Sequence, residues 1–217
     1  MKKLLLTTTL VAAGAVFVHA DEVALVTFKY ERDKSLHQAA FEFYDGDAPQ
    51  TVANFKKLAR KKFYNGTTVH RAFPHILVQM GDPISKGKDR SKVGTGGPGY
   101  TLPPEIHRKH IAGAIAAARL PDKLNLTRLS NGSQFFICLQ PYPSYDGQYT
   151  VFAHVISGMD TLDAISAKPV DTNDNPVERI ELKSVQILPR EKLPVPAAPA
   201  ATGKPAPKKS KPWWKVF

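Results

Sequence analysis

Apolar and polar positions alternate over much of this chain with the period of two that a half-buried strand needs. Val23 to Tyr30 and Ala39 to Tyr44 are read as strands, the second with Phe41 and Phe43 on one face. The charged, turn-like Glu31 to Ser35 joins them into an antiparallel hairpin, which Asp45-Gly46-Asp47 ends. The period then changes. After Pro49, Val52, Phe55 and Leu58 recur at helical spacing while Lys56, Lys57 and Arg60 face outward, and Thr51 is the expected N-cap. Further on, Ala114 to Ala118 is a small-residue strand over which something large must pack. Gln134 to Leu139, Tyr149 to Val155 and Glu178 to Leu188 are three more strands, and Met159, Leu162 and Ile165 mark a second short helix. Many strands, many turns and two helices far apart in sequence predict a mainly β, closed antiparallel barrel, not a doubly wound sheet.

One stretch breaks the simple pattern. FYNGTTVHRAFPHILVQMGDP, residues 63–83, starts at an Asn65-Gly66 turn, turns again at Pro74 and closes on Gly81-Asp82-Pro83. Within it, Arg71 lies in apolar company. A charge there is costly unless it is paired or needed, so Arg71 is either a barrel-rim ion pair or a functional donor.

Composition changes the picture mainly at the ends. The chain has 217 residues, enough for one domain with appendages, and a formal charge of +11. Lys2-Lys3, an apolar stretch from Leu4 to Val18 and Val18-His19-Ala20 read as a secretory signal peptide over residues 1–20. Export to a periplasm or the exterior is the expected localisation. Without Lys2 and Lys3 the charge is +9, of which residues 190–217 carry +6. The domain between them, residues 21–189, is thus nearly neutral, which argues against a nucleic-acid partner. The segment 190–217 is rich in Pro, Ala and Lys and is expected to be a disordered basic tail. Its Trp213-Trp214-Lys215 end suits contact with an anionic membrane or cell-wall polymer, or is simply solvated.

Several chemical motifs fail on inspection. Gly94, Gly96 and Gly99 have GxGxxG form but no preceding strand, so a close-packed loop is expected, not a phosphate cradle. His107 and His110 lack further ligands and are expected as surface or loop histidines, so no metal and no cofactor is implied. Cys138 lies in an apolar run and is read as a buried thiol. Leu120 to Ser130 is expected to be a polar loop.

Four pieces together resemble the cyclophilins, the cyclosporin-binding class of peptidyl-prolyl cis-trans isomerases. They are FYNGTTVHRAFPHILVQMGDP, GTGGPGYTLPPEI, NGSQFFI and DGQYTVFAHVISGMD, in the family's order between about Val23 and Leu188. The resemblance implies an eight-stranded antiparallel β-barrel capped by two helices, and acceleration of X-Pro isomerisation in exported, unfolded polypeptides. That reaction has a barrier of ~18–20 kcal/mol and needs no covalent step. It asks for an apolar seat for the proline ring and a donor aimed at the twisted amide.

The resemblance also implies which residues supply these parts. Arg71 matches the donor and Gln79 the glutamine that helps hold both the arginine and the substrate backbone. Phe136 matches the floor of the proline seat, and Ile76 and Leu77 stand where the family often has Phe and Met. Tyr145 and Tyr149 match other wall positions. Ala118, Arg119 and Gln134 match the groove for the residue before proline, with Gly94 on a loop nearby. By composition alone Ile76, Leu77 and Phe136 would be plain core. The altered wall, together with Ser144 where many members place a tryptophan, predicts weak cyclosporin binding, modest turnover and a shifted substrate preference.

Overall fold

The computed structural model describes residues 21–32 and 36–194. The expected signal peptide, the middle of the first turn and the tail from residue 195 onward lie outside them. Eight strands form one antiparallel sheet: β1 Glu22–Tyr30, β2 Leu36–Phe43, β3 Arg71–Phe73, β4 Leu77–Met80, β5 Ala114–Ala117, β6 Phe135–Cys138, β7 Val151–Ser157 and β8 Ile180–Pro189. Two helices, α1 Pro49–Arg60 and α2 Met159–Ser166, accompany it. The strand order is β3-β4-β6-β5-β7-β2-β1-β8.

The closed barrel expected from sequence is corrected to an open, strongly curled sheet. β3 and β8 are its edges and no ladder joins them. The reason is local. β3 has three residues, and its Ala72 N–H donates to Asp174 O (2.8 Å), so a turn satisfies that edge. Residues 66–69, ahead of β3, run along β8 through one bridge, Thr68 with Glu181, and hydrogen bonds such as Val69 N–H to Ile180 O (2.9 Å).

The inner face holds the main core, with Val26, Phe28, Phe41, Met80, Ile115, Phe135, Ile137, Phe152 and Leu182 all buried. Helix α1 adds Val52, Phe55 and Leu58, and α2 adds Leu162 and Ile165, at the spacings read from sequence. The start of α1 departs from expectation. Ala48 occupies the N-cap position and makes no side-chain cap. Thr51 lies inside the helix, and the carboxylate of the buried Glu105 accepts from Gln50 N–H (3.0 Å), Thr51 N–H (2.9 Å) and Thr51 Oγ1 (2.7 Å). A distant carboxylate thus caps α1, where free N–H groups and the helix dipole favour negative charge.

The central strands β4, β5 and β6 are covered on both faces. Period-two alternation sends Val78, Met80, Ile115, Phe135 and Ile137 inward. It sends Leu77, Ala114, Ala116, Phe136 and Cys138 outward into a second apolar cluster, which Ile76, Tyr142, Tyr145 and Tyr149 partly cover. Sheets buried on both faces read as unbroken apolar runs, which is why AIAA and FFIC look as they do. Beside the small-residue strand stands a large neighbour in the same sheet, Phe136, the register partner of Ala116.

The beginning of the segment read as tail is ordered. Arg190–Lys192 forms a single 3₁₀ turn, and Arg190 pairs with Asp21 (2.6 Å) and Glu42 (2.7 Å).

Candidate active site

Strand register builds the site on the outer face. Arg71 is paired with Gln79, Gln79 with Phe136, and Phe136 with Ala116. Adjacent strands lie ~4.8 Å apart, so these four residues form one row across β3, β4, β6 and β5. The row lies under a cleft of about 250 Å³ lined by Arg71, Leu77, Gln79, Ala118, Arg119, Pro121, Phe136, Tyr145 and Tyr149. One end is cationic, the middle polar, and the floor and far wall aromatic.

A second cavity of about 210 Å³ adjoins it through Gln79, Ala118 and Arg119, and Gly94, Thr101, Asn131 and Gln134 line it. The loop after Ala118 completes it with Leu120, Leu124, Asn125 and Leu129. That loop is thus not simply polar. Ile76 borders neither cavity and packs against the outer apolar cluster, so of the Ile76–Leu77 pair only Leu77 lines the cleft.

Arg71 keeps both readings that the sequence left open. Its side chain is 48% exposed and its Nε lies 3.5 Å from Asp174 Oδ2. An exposed pair of this kind contributes no more than about 1 kcal/mol, so the guanidinium can turn to another acceptor at small cost. It also lies over the Phe73 ring, 4.7 Å from the centroid, which keeps it against the strand surface. Gln79, the register partner of Arg71, donates from Nε2 to Gln134 Oε1 (3.0 Å).

The Gly-rich loop is close-packed at Gly96 but open at Gly94 and Gly99, and two side chains pin it. Gln134 Nε2 donates to Gly94 O (2.9 Å) and Gly96 O (2.8 Å). The fully buried Asp82 accepts from the N–H groups of Gly94 and Gly96. A Cβ on Gly96 would run into the Asp82 carboxylate and Ile84, so only glycine fits there.

Arg119 is committed to structure. It donates from Nε to Gln148 O and from Nη1 to Leu120 O, both at 2.9 Å, and pairs with Asp122 (2.5 Å). Its guanidinium covers the Tyr149 ring, 4.7 Å from the centroid. Arg128 shares Asp122 and donates to Gly147 O (2.9 Å), which fastens the loop to the segment carrying the tyrosines.

The structure departs from the sequence reading at His110, and it bears out Cys138 as a buried thiol. His110 lies in a loop but is buried, and its Nδ1 is 3.1 Å from Asp146 Oδ1. Burial pushes its pKa below the usual histidine value. Cys138 lies beneath Leu77 in the outer cluster, and burial pushes its thiol up to about 12.

An apolar seat beside a donor row, on the outside of a curled eight-stranded sheet with two helices, defines a prolyl-isomerase architecture. Residues 27–187 match the cyclophilin type peptidyl-prolyl cis-trans isomerase family, and the chain belongs to it and is an isomerase. It is 45% identical over 112 residues to a peptidyl-prolyl cis-trans isomerase of Synechococcus elongatus, covering 51% of this chain and 68% of that one. Peptidyl-prolyl cis-trans isomerase B of Bacillus subtilis is 42% identical over 123 residues, 55% of this chain and 77% of its own. A cyclophilin type isomerase of Cryptosporidium parvum, crystallised in the presence of the dipeptide Ala-Pro, superposes with a TM-score of 0.64 at 26% identity. The likeness covers 76% of this chain and 98% of that one.

Proposed function

We propose that this isomerase acts on X-Pro bonds of exported polypeptides, with Arg71 as the catalytic donor. The observation that carries the mechanism is the cross-strand row Arg71–Gln79–Phe136–Ala116 beneath the cleft. Phe136, Leu77 and Tyr149 seat the proline ring. Ala116 and Ala118 leave room above the sheet because they carry no more than a methyl group. As the amide twists it loses resonance, and the proline nitrogen gains a lone pair. The Arg71 guanidinium leaves Asp174 and donates to that nitrogen, an interaction stronger in the transition state than in either planar ground state. Gln79, oriented by Gln134, holds the substrate backbone. The residue ahead of the proline meets Ala118 and Arg119, and the adjoining cavity with Gly94 and Gln134 takes the chain further on.

Support for the substrate class comes from the Cryptosporidium relative, whose crystals were grown with Ala-Pro. Support for export is the Lys2-Lys3 start and the apolar stretch behind it. The basic, tryptophan-ended tail would then contact an anionic envelope surface. The altered wall, with Leu77, Ser144 and Tyr145 at family positions, favours weak cyclosporin binding, which nanomolar inhibition would contradict.

The test is exchange spectroscopy on an Ala-X-Pro-Phe peptide with the wild type and Arg71→Ala. Accelerated exchange that falls about a hundredfold in the variant is expected, the usual size for losing one preorganised donor. A variant as fast as the wild type would remove Arg71 from the mechanism. Fractionation of cells expressing residues 1–30 fused to a reporter tests export.

A further inference from the structure

We propose that His110 is a positioning residue for the isomerase cleft, setting the orientation of Phe136, Tyr145 and Tyr149 from beneath. This rests on the isomerase reading above, since those three rings are its proline seat.

Four aromatic rings are in mutual contact, and Tyr142 joins them through Tyr145 (4.3 Å). Phe136 meets Tyr145 edge-on at 5.7 Å and Tyr149 edge-on at 5.3 Å, and the two tyrosines lie 4.8 Å apart. Those three line the cleft. The fourth ring, His110, touches all of them and does not line it. It lies parallel to Phe136 at 6.1 Å and edge-on to Tyr145 (5.9 Å) and Tyr149 (6.0 Å). These separations fall in the range where ring orientation carries energy beyond area burial.

The imidazole is anchored on the segment it supports. Asp146 directly follows Tyr145, and its Oδ1 accepts the backbone N–H of His110 (2.7 Å) as well as the ring Nδ1 (3.1 Å). In return Tyr142 N–H donates to His110 O (2.7 Å). The side chain of His110 has no exposed surface. Because the carboxylate accepts at Nδ1, the proton sits there, and Nε2 keeps its lone pair with no hydrogen-bond partner.

This makes two separable contributions, ring volume under the seat and a tether to Asp146. It also makes a chemical consequence. Protonation would place a donor at Nε2 where no acceptor waits, so the seat is built for the neutral ring. Burial lowers the pKa of His110, so the ring is neutral at pH 7 and charges only in acid. The titratable groups around it are Asp146, Lys109, Cys138 and Tyr142, Tyr145 and Tyr149. Asp146 is the carboxylate among them, and the His110 N–H bond holds its carboxyl below the usual range.

Exchange spectroscopy on an Ala-Pro peptide, with wild type, His110→Phe, His110→Asn and His110→Ala between pH 5 and 8, tests the role. His110→Ala should lower kcat/KM about tenfold through KM, a modest misplacement on the scale known for positioned groups. His110→Phe keeps the ring and should raise KM by only about threefold, and His110→Asn should fall between. The wild type should lose kcat/KM toward pH 5, and His110→Phe should lack that acid limb. If His110→Ala does not fold, His110→Phe and His110→Asn decide the matter. Wild-type KM and an unchanged acid limb in both would overturn the positioning role while leaving the isomerase reading intact. A wild type without exchange activity would overturn both.

Discussion

Gln79 Nε2 donates to Gln134 Oε1 at 3.0 Å. Because Gln134 presents its amino end to the carbonyls of Gly94 and Gly96, its oxygen must face Gln79, and both amide orientations are fixed by the network. The relationship joins the two cavities, since Gln79 borders both and Gln134 closes one. Gln134→Leu should leave the Gln79 amide and the Gly94 carbonyl without these partners, while the Gly96 carbonyl keeps Asn131 Nδ2 (3.0 Å). A loss of about 1–3 kcal/mol in chemical denaturation is expected for orphaned buried polar groups, together with a lower kcat/KM. Unchanged stability and activity would show that the network is dispensable.

Asp174 pairs with Arg71 at 3.5 Å and is the partner Arg71 would leave in the proposed mechanism. Asp174→Asn should therefore change kcat/KM by less than about threefold, because an exposed pair contributes little, whereas Arg71→Ala should be severely impaired. Arg71→Lys keeps the charge but loses the planar fork, so it should resemble alanine more than wild type. Steady-state exchange rates for the three variants check the order.

Glu105 caps α1 from 54 residues away in sequence. Glu105→Ala removes three accepted hydrogen bonds and a favourable charge at the helix N-terminus. A cost of about 1–3 kcal/mol is expected, read as a lower Tm. Isomerase activity at 25 °C should survive, because the cap lies outside the cleft lining.

Cys138 should be inert in the native protein. Its side chain is buried and its thiol is pushed up to about 12. The thiolate is the reactive form, so almost none is present at pH 8, and the reactive fraction rises only as pH approaches that value. Thiol titration should register no fast-reacting cysteine until denaturant is added.

Where the chain is truncated at its C-terminal end matters. Truncation after Pro194 should leave the isomerase rate and Tm at wild-type values. Truncation after Pro189 also removes Arg190 and its pairs with Asp21 and Glu42, and should cost up to about 1 kcal/mol. Vesicle or cell-wall pelleting of the full chain and the first truncation tests the proposed envelope contact.

What the sequence determined by itself was local. The strand patterns of β1, β2 and β8, the helical spacing of Val52, Phe55 and Leu58, and the turn at Asn65-Gly66 all depend on neighbours a few residues away, so their chemistry is written in order along the chain. Long motifs then carried the family, and with it most cleft residues. Tertiary structure decided everything that depends on register between distant segments. It made the sheet open, because a turn satisfies the edge of β3 through Ala72 and Asp174. It replaced Thr51 by Glu105 as the cap of α1, kept Ile76 out of the cleft, turned Gln79 toward Gln134, and buried His110 under Phe136. Each of these contacts joins groups far apart in sequence, as Gln79 and Gln134 are at a separation of 55. No local pattern encodes such a pairing, since it forms only once the strands between are stacked in register.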